Sequence, residues 1–228
     1  MYNIRRMSIK LNKKLPQEIN DMILMKLSTR DIRRIGRDRI SDYVWWRKCH
    51  GTIEEAVREG NLIGVKYLIR DHLKTRMEKV EFITILFQSI DNGHLHIFKY
   101  LIEKYEVNIN IDNCYLLIRG IKSGHLDIVK YIVEKGADIH VLDNYALQLS
   151  AEYNHIEIFK YLIERGADIY SYADYILLLS AANGHLEFVK YLVEQGANIH
   201  AYGNGALRRS SINGHLEVVK YLIEHSSK

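Results

Sequence analysis

The sequence of 228 residues has one proline and two cysteines, and it contains no long apolar run. Cys49 and Cys114 are isolated, which argues for a reducing compartment rather than a disulfide scaffold. No apolar stretch approaches the ~20 residues needed to cross a bilayer. The first residues, MYNIRRMSIKLNKK, lack the apolar core of a signal peptide. These absences predict an intracellular, soluble protein of the cytoplasm.

The sequence also lacks the short signatures of common enzyme active sites. It has no HExxH, no GxSxG and no GxxxxGK[ST] phosphate-binding loop. Its two cysteines and its histidines do not stand at metal-ligand spacing. We therefore predict that the protein is not an enzyme, with no catalytic residue, no cofactor and no metal site.

Charge is divided unevenly along the chain. Residues 1–50 hold 13 Lys and Arg against 5 Asp and Glu, a balance of +8. Residues 51–228 hold the remaining 19 against 23, a balance of −4. A basic head on a mildly acidic body indicates two parts with different tasks.

One phrase recurs through the second part, and its clearest copy is NGHLEFVKYLVEQGANIH at residues 183–200. The tyrosine of each copy returns after 33, 31, 30, 30 and 30 residues, at Tyr67, Tyr100, Tyr131, Tyr161, Tyr191 and Tyr221. Self-similarity at such a period predicts a solenoid of stacked units, each too small to bury its own apolar face. In each unit we expect a first helix, a Gly-His turn and a second helix. Side-chain N-caps are predicted for the first helices at Asn113, Asn144, Asp174 and Asn204.

The segment GHLEFVKYLVEQGANIH, preceded by LLLSAAN, closely resembles the ankyrin repeat. The resemblance covers residues 51–228 and implies an all-α solenoid of helix–turn–helix repeats that binds proteins through a concave face and its hairpin tips. The TPLH entry of the family is missing and each unit is about three residues short, so short fingers are expected. Units of this kind resemble the ankyrin families of giant DNA viruses of amoebae, which would place the protein in a host cell. The predicted repeat limits are 51–79, 80–110, 111–140, 141–170, 171–200 and 201–228.

Residues 1–50 are predicted to form a small helical N-terminal segment. Pro16 suits the first turn of a helix, and the apolar residues after it follow helical spacing. From its LPxE start, the stretch 11–50 resembles an F-box, which docks on the adaptor subunit of cullin-type ubiquitin ligases. The resemblance implies a docking face made of Leu15, Pro16, Ile19, Ile23 and Leu27.

Three interpretations of this N-terminal segment remain open. It is an F-box-like adaptor, a bundle that caps the solenoid, or a basic tether to nucleic acid or anionic membrane. In the last case Arg33, Arg34 and Arg37 would contact phosphates, and binding would depend steeply on salt. The basic stretch from Arg30 to Arg39 departs from the F-box pattern, in which a more apolar middle is expected.

Three further rows of residues recur once per repeat. We expect the histidines to bond backbone groups in their turns, the tyrosines to pack in the second helices, and the lysines to lie on a charge-balanced, solvated face. The histidines are His94, His125, His155, His185 and His215. The lysines are Lys99, Lys130, Lys160, Lys190 and Lys220.

The positions that vary between repeats are better guides to a partner, because the recurring ones are used in stacking. By the resemblance, the variable positions lie at the hairpin tips and at the ends of the first helices. The candidate contact residues are Glu152, Tyr153, Tyr170, Tyr172, Asn183 and Tyr202. In the last repeat Arg209 replaces Leu149 and Leu179, and we expect a polar surface there that ends the stack. The predicted function is a non-catalytic protein-binding module, with partners that are proteins rather than nucleic acid.

Overall fold

The computed structural model describes residues 52–72 and 79–226. Within these ranges the backbone forms twelve helices joined by turns and no strand, which confirms the all-helical expectation. The helices are α1 (Ile53–Arg58), α2 (Leu62–His72), α3 (Lys79–Asp91), α4 (Leu95–Lys104), α5 (Ile111–Ser123), α6 (Leu126–Glu134), α7 (Val141–Glu152), α8 (Ile156–Glu164), α9 (Ala173–Ala182), α10 (Leu186–Glu194), α11 (Ala201–Ile212) and α12 (Leu216–His225). The predicted F-box-like face at Leu15, Pro16, Ile19, Ile23 and Leu27 lies outside the described residues.

The chain divides into two compact units, Met1–Ile97 and Phe98–Lys228, with the division inside α4. In the first unit α1 packs against α2 and α3. A capping box starts α1, because the Thr52 hydroxyl accepts the Glu55 N–H while the Glu55 carboxylate accepts the Thr52 N–H. Both bonds satisfy donors that a helix N-terminus would otherwise leave unpaired.

In the second unit the first helix of each pair packs against the first helix of the next. This row runs α5, α7, α9, α11, and each of these helices also packs on its own second helix, α6, α8, α10 or α12. Fully buried Phe159 of α8 and Phe188 of α10 meet edge-to-face with ring centroids 5.1 Å apart. Burying one such ring contributes about 1.5–3 kcal/mol, so contacts between pairs add to those within each pair.

A glycine in the left-handed conformation follows three of the second helices, α6, α8 and α10. Gly136, for example, has φ 92°, and the N–H groups of Gly136 and Ala137 return to carbonyls in the last turn of α6. A residue with a side chain is strained in this conformation, which explains the glycine at the exit. The alanine side chain then points inward and is buried in each of Ala137, Ala167 and Ala197.

The predicted side-chain caps of the first helices are wrong. The N-cap residues are Asn110, His140, Tyr172 and His200, and none makes a side-chain cap bond. Asn113, Asn144 and Asp174 lie within the helices instead, and Asn204 belongs to the left-handed turn before the regular part of α11. Asp174 accepts the N–H of Asn198 in the next exit segment, at 2.7 Å.

The polar turn chemistry occurs earlier, in the exit segments that follow the second helices. A side-chain oxygen there accepts the N–H two residues on, which closes a small turn before the helix. This bond recurs at Asn108, Asp138, Asp168 and Asn198. The Asp and Asn residues inside the helices resemble N-caps in the sequence, but the Asp and Asn residues of the exit segments form the turns before the helices.

Candidate protein-binding surface

The six predicted contact residues fall into two groups at opposite ends of the first helices. Tyr170, Tyr172 and Tyr202 lie at the starts of α9 and α11, while Glu152, Tyr153 and Asn183 lie at the ends of α7 and α9. Since α9 has ten residues, its ends are about 15 Å apart. The structure therefore does not bring the six residues into one cluster.

The tip group is held by its own backbone bonds. Tyr170 is 85% exposed, and its N–H donates to the Asp168 carboxylate. Ser171 also bonds that carboxylate, through its hydroxyl and its N–H. The Ser171 hydroxyl is the largest of the effects that hold the pKa of Asp168 below its usual value. Tyr172 is half-buried as the N-cap residue of α9, so of this pair Tyr170 offers the larger free ring.

Tyr202 is exposed for a different reason. Tyr202, Gly203 and Asn204 all have positive φ, so α11 begins with a left-handed turn before its regular part. His200 and Asn204 are joined across this turn by a bond of 2.7 Å between their side chains. The turn leaves Tyr202 59% exposed.

The group at the other end is engaged with neighbouring side chains. The Tyr153 ring stacks on His155 at 6.5 Å, and the Lys122 ammonium lies 5.7 Å from the same ring. The Glu152 carbonyl accepts a bond from His185. Asn183 is exposed as the C-cap residue of α9. Tyr153 is therefore an exposed ring already fixed in one orientation.

Between the two groups lies a second row of tyrosines that our sequence reasoning missed. Tyr115 and Tyr175 are exposed and Tyr145 is half-buried, and each lies in the first half of α5, α9 or α7. Their 30-residue spacing is present in the sequence, as it is for the second-helix tyrosines, and spacing alone does not distinguish an exposed row from a packed one. We name the surface formed by Tyr115, Tyr145, Gln148, Tyr175 and Leu178 the first-helix face.

The recurring histidines link one repeat to the one before. In the second unit, the ring N–H of His155, His185 and His215 donates to the carbonyls of Lys122, Glu152 and Ala182, at 3.2, 3.0 and 2.9 Å. In the first unit, His94 bonds Arg58 in the same way, at 2.9 Å. Bonding to backbone was predicted, but the carbonyl belongs to the preceding repeat rather than to the histidine's own turn.

The imidazoles of His94, His155 and His215 also lie against the glycine that follows their carbonyl partner by two positions. A Cβ built on Gly124 would come 2.4 Å from the His155 ring, and one on Gly184 would come 2.5 Å from His215. The carbonyl and the glycine together form a site for one histidine ring. These histidines therefore serve stacking, and among the described residues no His, Cys, Asp or Glu cluster could hold a metal ion.

On the side of the stack formed by the second helices, lysines lie close to tyrosine rings of the next repeat. The ammonium groups of Lys99, Lys130 and Lys160 lie 5.0, 5.5 and 5.7 Å from the ring centroids of Tyr131, Tyr161 and Tyr191. Such cation–π contacts contribute about 0.5–1 kcal/mol at exposed sites. Tyr131 and Tyr161 are buried, as the packing interpretation expects.

Tyr131 has a specific partner for its hydroxyl, which donates to the Glu103 carboxylate at 3.2 Å. Burial, with the Glu103 charge and this bond, raises the pKa of Tyr131 to about 12. The lysines of the later repeats pair within their own helices, at 3.3 Å for Lys160–Glu157 and 2.9 Å for Lys190–Glu187. The bond that Lys190 donates to Glu187 raises the pKa of Lys190. This side carries paired charges, as the sequence indicates.

In the second unit the helices α5 to α12 form a stack of pairs whose recurring side chains serve packing, with varied side chains along the first helices. This architecture is typical of repeat proteins. No helix among the described residues could span a membrane. A family model for ankyrin repeats (3 copies) matches residues 53–143 and again 147–228, which is well over half of the chain. The chain belongs to the ankyrin-repeat family, whose members generally bind proteins and do not catalyse reactions. No curated protein matches the sequence.

Proposed function

We propose that the chain binds a protein partner through the first-helix face, with the exposed tips at Tyr170 and Tyr202 at its edge. The observation that carries this proposal is the exposure of Tyr115 and Tyr175, which recur with half-buried Tyr145 at the same position of successive first helices. The side chains of His155, His185 and Tyr131 bond groups of the preceding repeat.

Tyrosine suits such a surface for physical reasons. Its ring buries a large area, and it has few rotatable bonds to immobilise, so little entropy is lost on binding. Tyr115 receives an N–H bond from Arg119 one helical turn away, at 3.4 Å, which orders the ring before a partner arrives. Gln148 and Leu178, both half-buried, add an amide and an apolar side chain to the same face. Interfaces with fixed aromatic anchors of this kind concentrate their binding energy at a few residues.

Site-specific photocrosslinking tests the proposal directly. A photoreactive amino acid replaces Tyr175 on the first-helix face in one variant, and Lys190 on the opposite side in a matched control. We expect a partner to be captured at position 175 and not at position 190, and Tyr115→Ala with Tyr175→Ala to abolish its binding. Equal capture at both positions would contradict the choice of face.

A narrower role rests on the sequence of residues 11–50 alone. We propose from its LPxE start that this stretch recruits a cullin-type ubiquitin ligase while residues 51–228 hold the target, so that proximity produces the effect. This proposal keeps the predicted division at residues 50 and 51 and the intracellular location. Co-precipitation of the full chain beside a Leu15→Ala/Pro16→Ala variant tests it, and recovery of ligase subunits with neither form would rule the role out.

A further inference from the structure

The exposure of the tyrosine row on the first-helix face does not depend on the end of the stack. Both α7 and α9 pack against a first helix on either side, yet Tyr175 is 41% exposed and Tyr145 is half-buried. The row has three members, because the flanking repeats carry Thr84 and Gly205 at the corresponding positions. The face therefore presents three tyrosine rings, one from each of three successive first helices.

The spacing of these rings follows from the packing of the helices that carry them. The axes of packed helices lie about 8–10 Å apart, so the outer rings of the row are about 16–20 Å from each other. A ligand that meets all three rings with equivalent side chains must repeat itself at this distance. The row therefore fixes the period of a ligand that contacts its three members alike.

Among the regular backbone conformations, polyproline II has the matching period. It has three residues per turn and a rise of about 3.1 Å per residue, so equivalent side chains recur about every 9.3 Å. In an extended strand equivalent side chains recur about every 6.7 Å, and residues three apart face opposite sides. One turn of an α-helix is about 5.4 Å, and two successive heptads span about 21 Å, which exceeds the length of the row.

The chemistry of the row agrees with this period. Proline-rich segments dock in aromatic-lined grooves, because their preformed conformation loses little entropy on binding. The polyproline II backbone has no internal hydrogen bonds, so its carbonyl groups need donors from elsewhere. Exposed Tyr175 carries a hydroxyl that can donate to such a carbonyl.

The positive charge beside this face lies at one end of the row. Arg119 and Lys122 follow Tyr115 by four and seven residues, so both lie on its side of α5. The Arg119 guanidinium donates to the Tyr115 hydroxyl at 3.4 Å, which places its charge next to that ring. By contrast, α7 and α9 contain acidic residues and no basic residue. Charge complementarity therefore favours a ligand with a carboxylate over α5 and none over α7 and α9.

We propose that the first-helix face binds a proline-rich segment of a partner protein in the polyproline II conformation, with an acidic residue at the end over α5. One turn of the segment covers each first helix, and a proline ring lies on each of Tyr115, Tyr145 and Tyr175. The carboxylate pairs with Arg119. This inference rests on the proposed function, because it names the partner of that same surface.

Three synthetic peptides of equal length test the proposal by fluorescence anisotropy with the full chain. The first has two aspartates followed by nine prolines, the second has two lysines in place of the aspartates, and the third has alternating glycine and serine in place of the prolines. Both orders of the two blocks are used, because the geometry does not fix the direction of the segment. We expect the acidic proline peptide to bind at least about tenfold more tightly than either control, since each control removes one of the two matching features.

Variants of the full chain locate the contact. Tyr175→Ala should weaken the acidic proline peptide about tenfold. Arg119→Glu should reverse the preference, so that the basic proline peptide binds more tightly than the acidic one, a result that a loss of packing alone would not give. Lys135→Glu, an equal charge reversal at the exposed C-cap of α6 in the same repeat, should leave both affinities unchanged. Circular dichroism checks that each variant is folded.

Three outcomes would overturn the proposal. These are an acidic proline peptide that does not saturate the chain, a glycine–serine peptide that binds equally well, and affinities that Tyr175→Ala and Arg119→Glu leave unchanged. Photocrosslinking at positions 175 and 190 distinguishes this failure from that of the proposed function. A partner captured at position 175 alone, without binding of the proline peptides, would retain the surface and reject the polyproline II segment. Equal capture at both positions would reject the surface itself.

Discussion

Two serines at the same position of successive repeats differ in one hydrogen bond. Ser150 and Ser180 are both fully buried in first helices. The Ser150 hydroxyl donates to the Leu147 carbonyl at 2.8 Å, whereas the Ser180 hydroxyl has no partner among the described residues. We therefore predict that Ser180→Ala stabilises the protein and that Ser150→Ala does not.

The magnitude follows from comparing the two changes. Both gain the same helix propensity, about 0.5 kcal/mol, and lose the same small volume. Ser150→Ala also loses a hydrogen bond worth about 1 kcal/mol net, so its free energy of unfolding falls slightly or stays unchanged. Ser180→Ala removes an unpaired buried hydroxyl that costs about 1–3 kcal/mol. The two variants should differ by about 2–4 kcal/mol in the free energy of unfolding.

Urea denaturation followed by circular dichroism measures this difference, provided that the slope of unfolding free energy against urea is equal in both variants. Ser210, whose hydroxyl also donates to the helix, at 3.0 Å to Leu207, provides a third comparison that should resemble Ser150. A loss of stability in Ser180→Ala equal to that in Ser150→Ala would refute the reasoning, since it would mean that both hydroxyls contribute alike.

Three other predictions concern single repeats. Tyr131→Phe should lower the free energy of unfolding by about 1 kcal/mol, because it removes a hydrogen bond to a carboxylate. Tyr161→Phe should leave the free energy of unfolding unchanged, because the buried Tyr161 hydroxyl has no partner among the described residues. The pKa of Tyr131 is raised from 10.0 to about 12 on folding. The stabilisation that protonated Tyr131 contributes is therefore fully present below pH 10 and is lost as the pH rises towards 12. A tyrosinate titration at 295 nm combined with denaturation checks this loss, which Tyr131→Phe should reduce. Asn154→Gly should raise the free energy of unfolding by up to ~1 kcal/mol, because Asn154 has φ 61°, and thermal denaturation checks it. Leu177→Ala, at a side chain 1% exposed, should lower the free energy of unfolding by about 2–5 kcal/mol, whereas Ile223→Ala should lower it by under ~1 kcal/mol. Urea denaturation measures both, and equal losses would argue against one-dimensional stacking.

The helix pairs could be predicted from the sequence because the period of 30 residues is a direct record of the stacking unit. Gly136 follows the same logic, since a helix exit with positive φ favours glycine strongly enough to be visible in three successive copies, at Gly136, Gly166 and Gly196. The caps could not be placed in this way. Asp174 and Asp168 are both polar residues near a helix start, and only the tertiary contact with Asn198 separates their roles.

The candidate surface was predicted only in part, for a related reason. Sequence spacing predicts which residues share an element, but it does not give the distance between the two ends of that element. Tyr170 and Tyr153 were grouped as variable positions, yet they lie at opposite ends of the first helices. Tyr175, the third residue of α9, recurs every 30 residues with Tyr115 and Tyr145, and recurrence alone favours a packing role. Its exposure shows that a residue can recur with the stack and still face outward.

A residue that departs from the repeat pattern indicates a property of a binding partner only when the structure does not compensate for the change. At Asn154 a side chain replaces the expected glycine, but the His185 ring still reaches the Glu152 carbonyl at 3.0 Å, so the change is absorbed locally. At Arg209 a charge replaces a leucine, and no acid of the described residues compensates it. The free energy of an unpaired guanidinium is low only in water or beside a carboxylate. A molecule that excludes water from Arg209 must therefore place a carboxylate beside it. Arg209 thus constrains the chemistry of a partner, whereas Asn154 constrains only the stability of one turn.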